Sequence, residues 1–114
     1  MKGMRNISIT SSKWNSGLIL EHAANGRKYR KRIRNWYFID SGVNDCDSFT
    51  WGYLGSGPAS TAYSILRELF GKDIARAKYM EFIERFVSRV PEESALCISG
   101  DSICLMLGIG KGKR

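Results

Sequence analysis

The sequence predicts an α+β fold: an antiparallel sheet of three or four strands, two long helices packed on one face of it, and a short C-terminal helix. Up to residue 39 the apolar residues alternate with polar ones or form short β-branched runs, whereas beyond residue 58 they recur at helical spacing. The 114 residues suit a single domain. We expect this domain to span residues 1–107 and a flexible basic tail to follow at residues 108–114.

The sheet-forming half contains two short strands and a hairpin. Ile7 and Ile9 alternate with polar residues, and residues 18–20 form a β-compatible run. Asn25-Gly26 is a strong hairpin signal, because both residues tolerate positive φ. The second arm of this hairpin is basic and continues into the aromatic residues up to Ile39, so we predict one strand that ends at a turn over residues 40–42.

A first long helix is predicted over residues 58–70. Pro58 suits its first position and Gly71 suits the position after its end. We expect Trp51 to be buried against this helix. The helical spacing is carried by Ala59, Ala62, Tyr63, Leu66, Leu69 and Phe70.

A second long helix is predicted over residues 73–90, with Asp73 as its N-cap and Pro91 as its stop. Glu81 and Arg85 are expected to pair on its exposed face. The residues expected to be buried are Ala75, Tyr79, Phe82, Ile83, Phe86, Val87 and Val90.

The C-terminal part is predicted to form a short strand at residues 96–98 and a last helix that runs to Leu107. Ser99 or Asp101 is placed to cap that helix, because each offers a side-chain oxygen just before an apolar run.

The net charge of +7 is uneven, with a balance of +5 in residues 1–57 and +2 in residues 58–114. The densest positive segment, the basic arm, comprises Arg27, Lys28, Tyr29, Arg30, Lys31, Arg32 and Arg34. Cations interleaved with aromatic rings are typical of surfaces that bind nucleic acid. The same residues also suit an acidic protein partner, or a solvated strand whose charge prevents aggregation.

The segment from Trp51 to Pro58 is rich in glycine and directly precedes the first long helix. Gly55, Ser56 and Gly57 there form a possible anion-binding turn, because a helix N-terminus has free N–H groups. The alternative is that the glycines let Trp51 and Tyr53 pack against the helix. The turn lacks the Lys-Ser/Thr pair of a P-loop.

The pattern W-G-Y-x-G-S-G-P of this segment, followed by an alanine-rich helix, resembles a small uncharacterised family of bacteria, archaea, phages and plasmids. The resemblance covers about residues 49–90. It implies a fold and a connection with phages and mobile elements, but no activity.

Catalytic and metal-binding patterns are weak. Three cysteines without a C-x-x-C pair and a single histidine, His22, make a poor zinc site, and we expect free thiols and no cofactor. Ser56 lies outside a G-x-S-x-G motif, and Asp45 and Asp47 fit a turn better than a carboxylate pair. We therefore expect a protein that is not an enzyme.

These observations favour a small accessory protein that acts by binding in the cytoplasm, without a membrane span, as a monomer or small homo-oligomer. The charge pattern indicates nucleic acid or a nucleoprotein complex as its partner. The resemblance to a family of phages and mobile elements adds a host defence complex as a candidate partner. The protein would then inhibit that complex, as an anti-CRISPR does. The alternatives are a protein–protein interaction module for an acidic partner and a phosphate- or nucleotide-binding protein that uses the glycine-rich turn.

Overall fold

The computed structural model of the chain describes residues 6–46 and 48–110. The elements, in chain order, are β1 (Ile7–Ser11), β2 (Leu18–Ala24), β3 (Arg27–Ile33), α1 (Trp36–Asp40), α2 (Ser56–Phe70), α3 (Lys72–Arg85), a 3-10 helix (Val87–Arg89), β4 (Leu96–Ser99) and α4 (Gly100–Leu107). The strands form one antiparallel sheet in the order β3-β2-β1-β4. The predicted α+β fold, with two long helices and a short C-terminal helix, is confirmed.

The predicted hairpin joins β2 to β3. Asn25 and Gly26 both have positive φ, 53° and 75°, and the residues on either side of them, Ala24 and Arg27, form the last pair of the two strands. This geometry is that of a two-residue turn matched to the twist of the strands.

The prediction that β3 continues to residue 39 is wrong, because the strand ends at Ile33 and Trp36–Asp40 is helical. Asn35 causes the change: its side chain accepts a hydrogen bond from the Phe38 N–H at 3.1 Å and caps α1. Its own N–H donates to Asp45 Oδ1 at 2.8 Å. The aromatic residues favour a strand locally, but the buried cap overrides that preference. The turn predicted at residues 40–42 follows a helix instead.

Helix α2 begins at Ser56, two residues before the predicted start, so that Pro58 lies within its first turn. Proline is tolerated there because the N–H groups of the first turn have no partner inside the helix. Gly71 ends α2 as predicted, with a φ of 95°.

Helix α3 starts at Lys72, and Gly71 rather than Asp73 is its N-cap, so the predicted capping role of Asp73 is wrong. Asp73 lies in the first turn, where its negative charge interacts favourably with the helix dipole and stabilises the helix. The α-helix ends at Arg85, and a 3-10 helix covers part of the remaining segment before Pro91. The predicted Glu81–Arg85 pair is present at 2.8 Å.

The core lies between the sheet and the helices. Trp51 is fully buried in the same cluster as Ala59 and Ala62 of α2, as predicted. Of the residues predicted to be buried on the second helix, Tyr79, Phe86 and Val90 are only half-buried, whereas the remaining four, Ala75, Phe82, Ile83 and Val87, are buried.

The C-terminal elements agree with the sequence. Ser99 caps α4 by accepting a hydrogen bond from the Ser102 N–H at 3.1 Å, and Leu107 is the last helical residue. Residues 111–114 of the predicted tail lie outside the described residues. Within the described ranges, no helix is long and apolar enough to cross a membrane.

Candidate functional site

The basic arm forms strand β3, at one edge of the sheet, and continues to Arg34 just beyond it. All six residues from Arg27 to Arg32 are exposed, and 51% of Tyr29 is accessible to solvent. Only Ile33, the last residue of the strand, is buried. The structure therefore holds the predicted binding residues together on one accessible edge.

The strand pleat divides the arm between the two faces of the sheet. Ile33 pairs with Leu18, and both point into the core on the helix side. Arg27, Tyr29 and Lys31 alternate with the other residues and share the face of Ile33. Lys28, Arg30 and Arg32 point to the opposite face.

Part of the positive charge is neutralised inside the molecule. Ion pairs join Arg30 to Glu21 at 3.4 Å, Lys31 to Glu68 at 2.8 Å, Arg32 to Asp45 at 2.8 Å and Arg34 to Asp45 at 3.7 Å. Arg27 and Lys28 have no such partner among the described carboxylates. Six cations thus face three described carboxylates. Arg27 and Lys28, two of the three cations in excess, lie at the hairpin end of the arm, and Arg32 and Arg34 share Asp45 at the other end.

Trp36 anchors the far end of the arm to the helices. The guanidinium carbons of Arg34 and Arg67 lie 5.3 Å and 4.3 Å from the centre of its aromatic ring. Its Nε1 donates to Glu68 at 2.9 Å. Burial acts to raise the pKa of Glu68, but the hydrogen bonds from Lys31 and Trp36 outweigh it and hold the pKa below the usual value. Lys31 and Arg34 therefore have structural roles, which the sequence pattern did not indicate.

Asp40, at the end of α1, forms a second anchor. It accepts hydrogen bonds from the Tyr63 hydroxyl at 2.7 Å and from Arg67 Nε at 3.0 Å. Burial acts to raise its pKa, but these two hydrogen bonds prevail and the pKa is lowered. Burial and the bond to Asp40 raise the pKa of Tyr63. These partners are more than twenty residues apart in sequence, so no local pattern could have revealed them.

The glycine-rich turn leads into α2, with Gly55 as the N-cap and Ser56 as the first helical residue. The Tyr53 hydroxyl and the Thr50 Oγ1 lie 3.0 Å apart and lie directly against the Cα of Gly57. A Cβ at Gly57 would overlap both oxygens. This close packing gives Gly57 a structural role.

A cavity of about 450 Å³ lies beside this turn, between α2 and α3. Its walls include Tyr37, Tyr79 and Ile83. Leu54 and Met80, two strongly exposed apolar side chains, also line it. No local sequence pattern indicates it, because its walls come from three separated segments.

The residues considered for catalysis or metal binding are dispersed. His22 lies on β2 and pairs with Tyr29 of β3, whereas Ser56 is the first residue of α2. Asp45 accepts hydrogen bonds from Arg32 and from the Asn35 N–H, which lower its pKa. Asp47 lies outside the described residues. The described part of the chain contains no group of three metal-ligating side chains, and none of the three cysteines forms a disulfide.

A family model described as a family of unknown function, DUF6166, matches residues 15–104. The chain belongs to the DUF6166 family. No curated protein and no solved structure matches the chain. The expectation that it belongs to an uncharacterised family is confirmed.

The DUF6166 match is wider than the resemblance over residues 49–90 suggested. It includes the basic arm and the glycine-rich turn, and it ends at Cys104 within α4. Strand β1 precedes the match, although it pairs with both β2 and β4 in the middle of the sheet. The matched residues thus do not include β1, the strand that joins β2 to β4 in the sheet.

Proposed function

We propose that this DUF6166 protein acts by binding nucleic acid, or a nucleic-acid-handling complex, through the basic arm. The observation that supports it is an exposed edge strand with cations at five of its first six positions and an excess of positive charge over the described carboxylates that pair with it. Phosphate groups are the common ligands for such a surface. A host defence complex that handles nucleic acid is the setting implied by the resemblance.

Binding rather than catalysis is the activity we propose. Asp45, considered earlier as a catalytic carboxylate, is engaged by Arg32 and by the Asn35 N–H, so its oxygens serve the anchor of α1. The exposed positions of the strand are five cations and one tyrosine. Their charge is suited to attract a polyanion.

An acidic protein segment is the second candidate partner. It is favoured by the place of β3 at the edge of the sheet, where backbone groups are available to pair with an added strand. An extended acidic peptide would satisfy these groups and the cations together.

Fluorescence anisotropy with a labelled duplex and a labelled acidic peptide would test the proposal. Arg27→Gln with Lys28→Gln removes two cations that have no described ion-pair partner, so the fold should be retained. Lys72→Gln with Arg76→Gln removes the same charge from the exposed surface of α3. We expect the arm variant to bind the duplex about tenfold more weakly than the α3 variant.

Equal losses in the two variants would show attraction by net charge alone and would contradict the proposal. Tight binding of the peptide without binding of the duplex would favour the second candidate.

A further inference from the structure

The face of the sheet opposite the helices, here the open face, is defined by the strand registers. Ile9 on β1 pairs with Leu20 and Ile98, and these residues belong to the core or pack against it. The residues that alternate with them point the other way. They include Thr10 on β1 and Cys97 on β4, which are directly opposite each other.

No described helix packs on the open face. Ile19, a large apolar residue there, is half-buried but is not among the side chains that pack against the core cluster. Ser8 and Thr10 are half-buried in the centre, and Cys97 is exposed at the β4 edge. The face is therefore accessible and built largely of small side chains, which allow a ligand to approach the sheet closely.

One border of the open face carries a row of cations. Lys28, Arg30 and Arg32 are alternate residues of β3, so their side chains leave the strand about 6.8 Å apart and on the same side. This spacing is close to that of successive phosphates along a nucleic-acid strand. The Arg30–Glu21 pair is open to solvent, with 65% of the arginine side chain accessible, so a phosphate can replace the carboxylate at little cost.

The open face carries no aromatic ring within the described strands, because Tyr29 points to the helix side. Proteins that bind single strands obtain much of their affinity by stacking bases on rings. A duplex, in contrast, exposes its phosphates while its bases stay stacked on one another. The chemistry of this face therefore fits double-stranded nucleic acid and contacts that do not depend on sequence.

We propose that a nucleic-acid duplex lies across the open face, with one backbone along the cation row of β3 and its body over β2 and β1 toward β4. This inference rests on the proposed function and specifies its ligand and face. The sheet spans about 14 Å from β3 to β4, so Cys97 lies beneath the bound duplex although it is three strands away from the cations.

A charge placed at Cys97 tests the inference. Cys97→Glu and Cys97→Gln have side chains of nearly the same size and differ in charge, so their comparison isolates electrostatic repulsion. Ala77→Glu adds the same charge on the exposed surface of α3. With a labelled 20-base-pair DNA duplex as the probe, we expect Cys97→Glu to bind about two- to fivefold more weakly than Cys97→Gln, and Ala77→Glu to bind like the wild type.

A footprint gives an independent measurement. Maleimide should modify Cys97 more slowly in the presence of saturating duplex, with peptide mass spectrometry separating Cys97 from Cys46. The duplex should also bind at least as tightly as the single strand of the same sequence.

Equal affinities of Cys97→Glu and Cys97→Gln, together with unchanged modification of Cys97, would overturn the inference and leave the proposed function in place. Tighter binding of the single strand would overturn the choice of a duplex. If the wild type binds no nucleic acid even at low salt, both this inference and the proposed binding of nucleic acid by the basic arm fail.

Discussion

The ammonium group of Lys31 lies 2.8 Å from a carboxylate oxygen of Glu68, and the other oxygen of Glu68 accepts a hydrogen bond from Trp36. The pair joins the edge of the sheet to α2 at the point where the basic arm ends. A cation in the most basic segment of the chain is thus used to hold the fold together. Arg27 and Lys28, which have no ion-pair partner among the described carboxylates, differ from it in this respect, and this difference can be measured.

Lys31→Gln should lower the free energy of unfolding by about 1 kcal/mol, because it removes a charge-assisted bond to a largely buried carboxylate. Lys28→Gln on the same strand should leave stability within about 0.5 kcal/mol of the wild type, because no described carboxylate pairs with it. Urea denaturation of the two variants would measure the difference. Equal stabilities would show that the Lys31–Glu68 pair contributes nothing.

Acid should weaken the same contact. Since the pKa of Glu68 is lower in the folded protein than its usual value of 4.5, the pair contributes stability above that value and loses it as the pH falls through the lower, folded pKa. Unfolding by urea at a series of pH values from neutrality to strong acid should show this fall. Glu68→Gln should start less stable and lose less on acidification. A parallel loss in both proteins would assign the acid sensitivity to other groups.

The cap of α1 should depend on the Asn35 oxygen. Asn35→Ala removes the acceptor for the Phe38 N–H, and we expect a loss of about 1 kcal/mol relative to Asn35→Ser, which keeps an oxygen at that position. Hydrogen exchange at the Phe38 amide should be faster in the alanine variant. Identical exchange in the two variants would show that this bond does not hold the helix.

Gly57 gives a direct test of the role of the glycine-rich turn. Gly57→Ala should destabilise the protein by about 1–3 kcal/mol through overlap with Thr50 and Tyr53. Gly17→Ala is the control, because a Cβ there meets no atom within 4 Å. Unchanged stability of Gly57→Ala, with weaker binding of inorganic phosphate, would instead indicate the anion-binding role.

Features set by neighbouring residues could be predicted from the sequence. Asn25-Gly26 specifies its hairpin, and Gly71 marks the end of α2, because each conformation depends on the residue itself. Helix α1 could not be predicted, because its capping residue Asn35 is buried and is held by Asp45, which is ten residues further along the chain. The structural role of Lys31 could not be predicted either, because it depends on Glu68, which approaches Lys31 only in the folded chain.

The most direct test of the central claim is the dependence of duplex affinity on salt for the wild-type protein. The arm has three more cations than described carboxylates to neutralise them. If each of these contacts one phosphate, the logarithm of the association constant should fall with the logarithm of salt concentration with a slope of about −2.7. A slope near zero, or no duplex binding at low salt, would contradict the claim that the basic arm binds nucleic acid.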